Sequence, residues 1–329
     1  MSTVYFGQTA RPVGRPRAEQ FQLVNAPTPE IGEGEALVEN LYLSVDPYMR
    51  EMMDFRPLHE PIEGRALGWV VDSRAPSLNP GDLVAHRQGW RSHAVVTPED
   101  ARRLSVPEGV PLTAYLGILG GTGLSAYVGL TRIARLERGE TVFISAAAGA
   151  VGSAAGRIAR LLGAERVIGS TGSAAKARHL VERLGFDAAI NYRDGDLTGQ
   201  LAKAAPDGLH VYFDNVGGDH LEAAIDNMRD RGRIAWCGGI AHYNATGPST
   251  APSNLYEVVG RQLRLEGFLA RDYLDLWSEL EDFLVPRILD GTVGIDETIV
   301  DGIENTAGAF ISMMDGSNTG KMIVRLAAE

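Results

Sequence analysis

Apolar residues recur along this chain with two different rhythms. From Phe21 to about Thr97 they come in short runs, such as Ala36-Leu37-Val38, Leu67-Gly68-Trp69-Val70-Val71 and Leu83-Val84-Ala85, separated by Pro and Gly. Runs of that length between turn residues predict a β-rich region. Asn79-Pro80-Gly81-Asp82 is the clearest of its turns, with Pro presetting one backbone angle and Gly supplying the permissive one. Beyond Pro107 apolar strands alternate with helical patterns at intervals suited to βαβ units. Residues 141–145, 166–171, 188–191, 211–215, 233–237 and 264–268 read as six successive strands of one parallel sheet, with helices in the gaps. A helix over 273–289 carries Leu276, Leu280, Phe283 and Leu284 at helical spacing, which is a packing face. The closing segment 320–326 alternates like a strand and is expected to return to the first, β-rich part.

Within the second rhythm one stretch carries chemistry. The apolar strand 141–145 runs into Ala147-x-Gly149-x-x-Gly152 and then a helix, a variant of the G-x-G-x-x-G turn with alanine in its first position. Gly149 lets main chain approach a pyrophosphate, Gly152 lets helix and strand pack closely, and the free amides of a helix start favour an anion. The fold class expected is α/β: a doubly wound parallel sheet of Rossmann type plus a β-rich domain. About 20 positions past such a turn, a carboxylate ordinarily holds the ribose hydroxyls of NAD. Here the chain reads Gly169-Ser170-Thr171-Gly172-Ser173, with Lys176 and Arg178 following. Hydroxyls and cations in place of the acid suit a 2′-phosphate, so the coenzyme expected is NADPH.

Composition narrows the alternatives. The chain's 329 residues suggest about two domains, and a net charge of −11 argues against nucleic acid or an anionic membrane as partner. Cys237 is the only cysteine, which excludes an intrachain disulfide and a zinc site of several thiolates. The seven histidines lack ligand spacing, and for the nearest pair, His86 and His93, a surface or core role is the better reading. No metal is expected. Neither a membrane-length apolar run nor a signal-peptide core is apparent, so the expected compartment is cytoplasmic.

Several separated motifs together resemble one family, the zinc-independent medium-chain dehydrogenase/reductases that include prostaglandin reductase, plant alkenal double-bond reductases and bacterial curcumin reductase. They are Leu43-Ser44-Val45-Asp46-Pro47-Tyr48-Met49-Arg50, the AAAGAVG of 146–152, Asp214-Asn215-Val216-Gly217-Gly218, Cys237-Gly238-Gly239-Ile240-Ala241-His242-Tyr243-Asn244 and Leu265-Glu266-Gly267-Phe268. The resemblance implies a GroES-like substrate domain over 1–118, an NADP-binding domain over 119–290, and a return to the substrate domain over 291–329, with NADPH in the cleft between the domains. It places Gly149, Ala150, Val151, Gly152 and Ser153 along the pyrophosphate, and Lys176 and Tyr192 at the 2′-phosphate. Asn215 would end its strand, Cys237, Gly238 and Tyr243 with Phe268, Leu269 and Ala270 would border ribose and nicotinamide, and Asn318 would add a polar contact. It also implies a homodimer paired through edge strands. Two stretches depart from the pattern: Ala241-His242 exchanges a polar residue for alanine and gains a titratable ring, and 58–64, a candidate wall of the substrate pocket, matches no family feature. The Gly-His-Glu triplet of zinc-dependent relatives is missing from 63–68.

The reaction this implies is reduction of a carbon–carbon double bond conjugated to a carbonyl, with a small unsaturated ketone or aldehyde as partner. Hydride goes to the β-carbon, and the enolate that forms needs hydrogen-bond donors in a dry site. Tyr243 is the first candidate among the stabilisers, beside the cofactor ribose hydroxyl and backbone amides, with Tyr243 or a water delivering the proton, and Tyr48 is the second tyrosine. Arg50 is expected to be solvated, His242 to be an exposed loop residue, and Asp214 to satisfy nearby amides. An NADPH quinone reductase and a non-catalytic NADPH-binding protein remain as alternatives.

Overall fold

The computed structural model describes residues 2–248 and 251–326. The strands are β1 (Ser2–Gln8), β2 (Phe21–Pro27), β3 (Ala36–Ser44), β4 (Ala66–Ser73), β5 (Leu83–His86), β6 (His93–Val96) and β7 (Arg102–Arg103). Next come β8 (Thr141–Ile144), β9 (Arg166–Thr171), β10 (Ala188–Asn191), β11 (Leu209–Asp214), β12 (Met228–Trp236) and β13 (Arg264–Gly267), and lastly β14 (Glu297–Asp301) and β15 (Lys321–Arg325). Contacts divide the chain into two units, one of residues up to Leu116 together with those from Glu297 onward, the other Gly117–Asp296.

The first unit is built on a seven-stranded sheet in the order β14-β15-β3-β4-β5-β7, with β6 also on β3, beside the β1-β2 hairpin. Eight of the nine residues of β3 are buried, as a central strand requires. The last strand, β15, runs antiparallel to β3 with Ile323 opposite Ser44. That pairing brings the chain's end against the segment that follows β3. Around it Phe6, Met49, Trp90 and Phe310 close a core in which Trp90 and Phe310 meet edge to face at 5.7 Å.

The second unit is a six-stranded sheet in the order β10-β9-β8-β11-β12-β13, parallel throughout. Counted within the sheet this is 3-2-1-4-5-6, the doubly wound order expected from the six strands, and it reverses direction between β8 and β11. Ligands of such sheets bind beyond the carboxyl ends of the strands at that reversal. Phe143, Ile168, Tyr212, Phe213 and Ile234 are all buried in its core. One expected element differs. The helix foreseen over 273–289 is a 3-10 segment, Ala270–Leu276, followed by the α-helix Trp277–Leu289. Tyr273 breaks the helical backbone with ψ at 32°, and the Trp277 indole N–H donates to Leu119 O at 2.9 Å, which sets where the α-helix begins. Leu280 and Leu284 are the residues of the foreseen face that become fully buried.

Candidate active site

At the end of β8 the chain turns through Ala146 to Gly149 into the helix Ala150–Leu161. The left-handed residue of this turn is Ala146 (φ 47°), whereas Gly149 sits at φ −86°, so the strained position is one residue before the alanine aligned with the first glycine. An alanine there costs about 1–2 kcal/mol. The turn is closed by Gly149 N–H to Ala146 O at 3.0 Å and tied to β9 by Ala147 N–H to Ser170 O at 2.9 Å. No side chain caps the helix at Gly149. Its first amides therefore have no partner within the helix and face outward as an anion site. Gly149, Ala150 and Val151 are half-buried, whereas Gly152 and Ser153 are buried. The Ser153 hydroxyl donates to Ala150 O at 3.2 Å, so its part is inside the helix.

A second observation at this place fits a bound nucleotide. The Ser170 hydroxyl, at the end of β9, is buried and finds no partner among the described residues. Beyond it, Ser173 caps the helix Ala174–Leu184 by accepting from Lys176 N–H at 3.3 Å. Burial, and then the nearby Arg193 guanidinium, lower the Lys176 ammonium below its ordinary value. Like charges held together in this way are stabilised by an anion. The Tyr192 phenol lies over Gly172, where a Cβ would stand 2.8 Å from the hydroxyl, and the His220 ring meets Tyr192 edge-on at 5.1 Å. Arg178 is exposed on its helix. Arg193, absent from the expected set, joins Lys176 and Tyr192; its only sequence signal was adjacency to Tyr192.

The far side of the reversal is organised by Asp214, the last residue of β11. Its Oδ1 accepts from Val216 N–H and Gly217 N–H, both at 2.8 Å, and from the Tyr212 hydroxyl at 2.7 Å. Satisfying nearby amides is the role expected for it. The main chain of Asp214 accepts from Cys237 N–H and Gly238 N–H, and Asn215 binds Ser145 through its amide side chain at 2.8 Å. Ile240 N–H and Ala241 N–H then reach Asn215 O and Val216 O, each at 3.2 Å. The Tyr243 segment is thereby held as one helical turn, Ile240–Tyr243, against the end of β11. The Tyr243 hydroxyl stands 3.6 Å from where a Cβ on Gly238 would be. His242 is half-buried over Gly217 instead of exposed. Burial, and next the Asp214 charge, push the Cys237 thiol up to about 12, which favours its protonated form.

Other expected residues divide by direction. Phe268 turns its ring back onto Phe213, 6.4 Å between centroids, and would clash with a Cβ on Gly129. Its ring is therefore packing, and a cofactor would meet its main chain. Leu269 is exposed and Ala270 opens the 3-10 segment.

In the first unit, Tyr48 precedes the short helix Met49–Met52. Burial, with Asp46 adding to it, pushes its phenol up to about 12, and its buried hydroxyl has no partner among the described residues. Arg50 corrects an expectation: it is 3% exposed, donates to Gly14 O at 3.1 Å and pairs with Asp54 at 3.0 Å. The Asp54 partner at i+4 was the available signal. Asn318 is buried, donates to Gly320 O at 2.9 Å and lines a 290 Å³ hollow with Thr298, Asn305 and Met322. His86 is a core histidine, bound to Asn40 at 2.8 Å and lowered to about 3 by burial. Among the described residues, no three His, Cys, Asp or Glu side chains group so as to hold a metal ion. No described helix is long and apolar enough to cross a membrane.

Known proteins resemble this arrangement over its full length. The family profile described as the N-terminal domain of oxidoreductase matches residues 6–104, and the one described as zinc-binding dehydrogenase matches 150–286. The 2-alkenal reductase (NADP(+)-dependent) of Nicotiana tabacum is 38% identical, with 96% of this chain and 95% of the relative covered. Prostaglandin reductase 1 of Mus musculus is 40% identical with 95% of each covered, and the NADPH-dependent curcumin reductase of Escherichia coli is 36% identical with 97% and 96% covered. Among solved structures, CurA from Vibrio vulnificus in complex with NADPH superposes with a TM-score of 0.92 at 32% identity, covering 99% of this chain and all of that one.

Proposed function

The chain belongs to the medium-chain dehydrogenase/reductase family of the alkenal, curcumin and prostaglandin reductases, and from that we propose that it reduces the carbon–carbon double bond of α,β-unsaturated ketones and aldehydes with NADPH. The observation that carries this reading is the joint presence of an uncapped helix start at Gly149, the Lys176–Tyr192–Arg193 cluster and a phenol on the Ile240–Tyr243 turn, in a chain alike end to end to enone reductases. When bound, NADPH supplies the hydride that reaches the β-carbon.

The chain's own residues do the rest. The amides of Ala150 and Val151 would hold the pyrophosphate, and Lys176, Tyr192 and Arg193 would hold the 2′-phosphate. The Tyr243 hydroxyl donates to the carbonyl oxygen as charge gathers there, and Tyr243 or a water delivers the proton that the α-carbon of the enolate takes up to give the saturated carbonyl. Tyr48 offers a second phenol, which its high pKa keeps in the neutral, donating form across the working pH range. The test is NADPH consumption with an alkenal, an enone and a benzoquinone, with the saturated carbonyl identified as product. Turnover of the quinone alone would replace this reading by the quinone reductase.

Coenzyme choice gives a sharper expectation. Lys176→Ala should raise the Kd for NADPH about ten- to a hundredfold, the worth of a charge-assisted contact, while leaving that for NADH unchanged. Equal losses for both coenzymes would remove Lys176 from the phosphate. We further infer a cytoplasmic homodimer. Strand β13 is an edge of its sheet, and Tyr256 and Val259 just before it are 81% and 66% exposed. Sedimentation equilibrium should give twice the chain mass, and Tyr256→Asp should shift the balance to monomer.

A further inference from the structure

Tyr192 follows β10, an edge strand of the parallel sheet, on the three-residue 3-10 turn Tyr192–Asp194. It is 39% exposed, so the core does not hold its side chain. A ring in that condition keeps one rotamer only where neighbours brace it. Two neighbours do. On one side is Gly172, where a Cβ would stand 2.8 Å from the phenol oxygen and 3.1 Å from the ring carbon that bears it. On another the His220 ring meets Tyr192 at 5.1 Å between centroids and 74° between planes, the edge-to-face arrangement that aromatic rings prefer.

His220 stands on a firm base. It lies in the first turn of the helix Gly218–Asn227, whose Leu221, Ala224 and Ile225 are buried in the core of the second unit. Its N–H returns to Gly217 O at 3.2 Å, and Gly217 N–H is held by Asp214. The imidazole is 6% exposed, and its Nε2 has no partner among the described residues. Burial lowers the ring to about 4, against the opposing charge of Asp219, so it is neutral at neutral pH. A buried nitrogen left unpaired costs stability, so hydrogen bonding through Nε2 does not account for this side chain. What the ring supplies is an aromatic contact for Tyr192. Strands β9 and β8 lie between β10 and β11 in the sheet, so this contact joins segments that follow two strands which do not pair.

We propose that His220 is a positioning residue for coenzyme selection: its ring braces the Tyr192 phenol over Gly172 and holds it ready for the 2′-phosphate of NADPH. This rests on the reading of Lys176, Tyr192 and Arg193 as the 2′-phosphate site. His220 acts through Tyr192 and takes no part in hydride or proton transfer.

The experiment is calorimetric titration of the full chain with NADPH and, separately, with NADH. His220→Ala should raise the Kd for NADPH about three- to tenfold, the worth of an aromatic pair, and leave that for NADH within about twofold. Because alanine empties a buried place, His220→Leu, which fills it without a ring, is made alongside and should show the same split. His220→Phe restores the ring and should return the NADPH Kd to within about twofold of the parent. Tyr192→Phe should raise the NADPH Kd about tenfold in the parent and about threefold or less beside His220→Leu, a coupling that general loosening of the fold would not produce. Equal losses for both coenzymes, an unchanged NADPH Kd, no rescue by phenylalanine, or an undiminished effect of Tyr192→Phe beside His220→Leu would overturn the proposal. A Tyr192→Phe protein that binds NADPH like the parent would instead refute the placing of Tyr192 at the 2′-phosphate.

Discussion

Gly152→Ala is expected to cost stability and NADPH binding together. A Cβ at this position would stand 2.4 Å from Ala146 O and 2.6 Å from Ala147 Cα. Both obstacles are main chain, so no side chain can swing aside. The helix Ala150–Leu161 must lift from the turn, at roughly 1–3 kcal/mol, or a fall in Tm of about 2–4 °C for each kcal/mol. The same movement misdirects the helix amides, and the Kd for NADPH should rise at least about tenfold. Gly149→Ala is the matched control. Its Cβ would meet only Ala146 O, at 3.2 Å, and its φ suits an L-residue. That variant should melt near the parent, so any affinity it loses reports the approach of the ligand. Thermal melts and calorimetry on the pair decide the matter; a Gly152→Ala protein that melts and binds like the parent would show that the turn does not hold the helix.

Tyr243→Phe should lower kcat for an enone about a hundredfold, the lower end of what a positioned proton donor contributes, with the Kd for NADPH within about twofold. The separation is expected because the turn that carries Tyr243 is held by main chain. Ile240 N–H and Ala241 N–H bind Asn215 O and Val216 O, and the Trp236 indole donates to Gly238 O at 3.0 Å. These bonds are made by main chain and by the Trp236 indole, so they survive the loss of the Tyr243 oxygen. A kcat within twofold of the parent would end the catalytic assignment and leave Tyr243 as packing.

Much of the local structure around the candidate site was readable because its signals are local. The strand, small-residue turn and helix at 141–161 lie in one contiguous stretch, as does the missing carboxylate at 169–173. Where sequence reading failed, the deciding partner was elsewhere or the backbone chose between neighbours. Arg50 looks solvated until Gly14 and Asp54 close on it. Two alanines, 146 and 147, are equal in the sequence, and in the structure Ala146 takes the left-handed backbone and accepts from Gly149 N–H while Ala147 N–H binds Ser170 O.

Periodicity and turn chemistry alone determined that this chain alternates strands and helices over 141–268 and runs a strand through a small-residue turn into a helix at 141–161, because both depend on residues within a few positions of one another. Tertiary structure decided the rest. The contact of His220 with Tyr192, the anchoring of the Tyr243 turn by Asn215 and Val216, and the grouping of Arg193 with Lys176 join residues far apart in sequence. Their pairings follow from sheet order and register, and these are set by burial of the whole core.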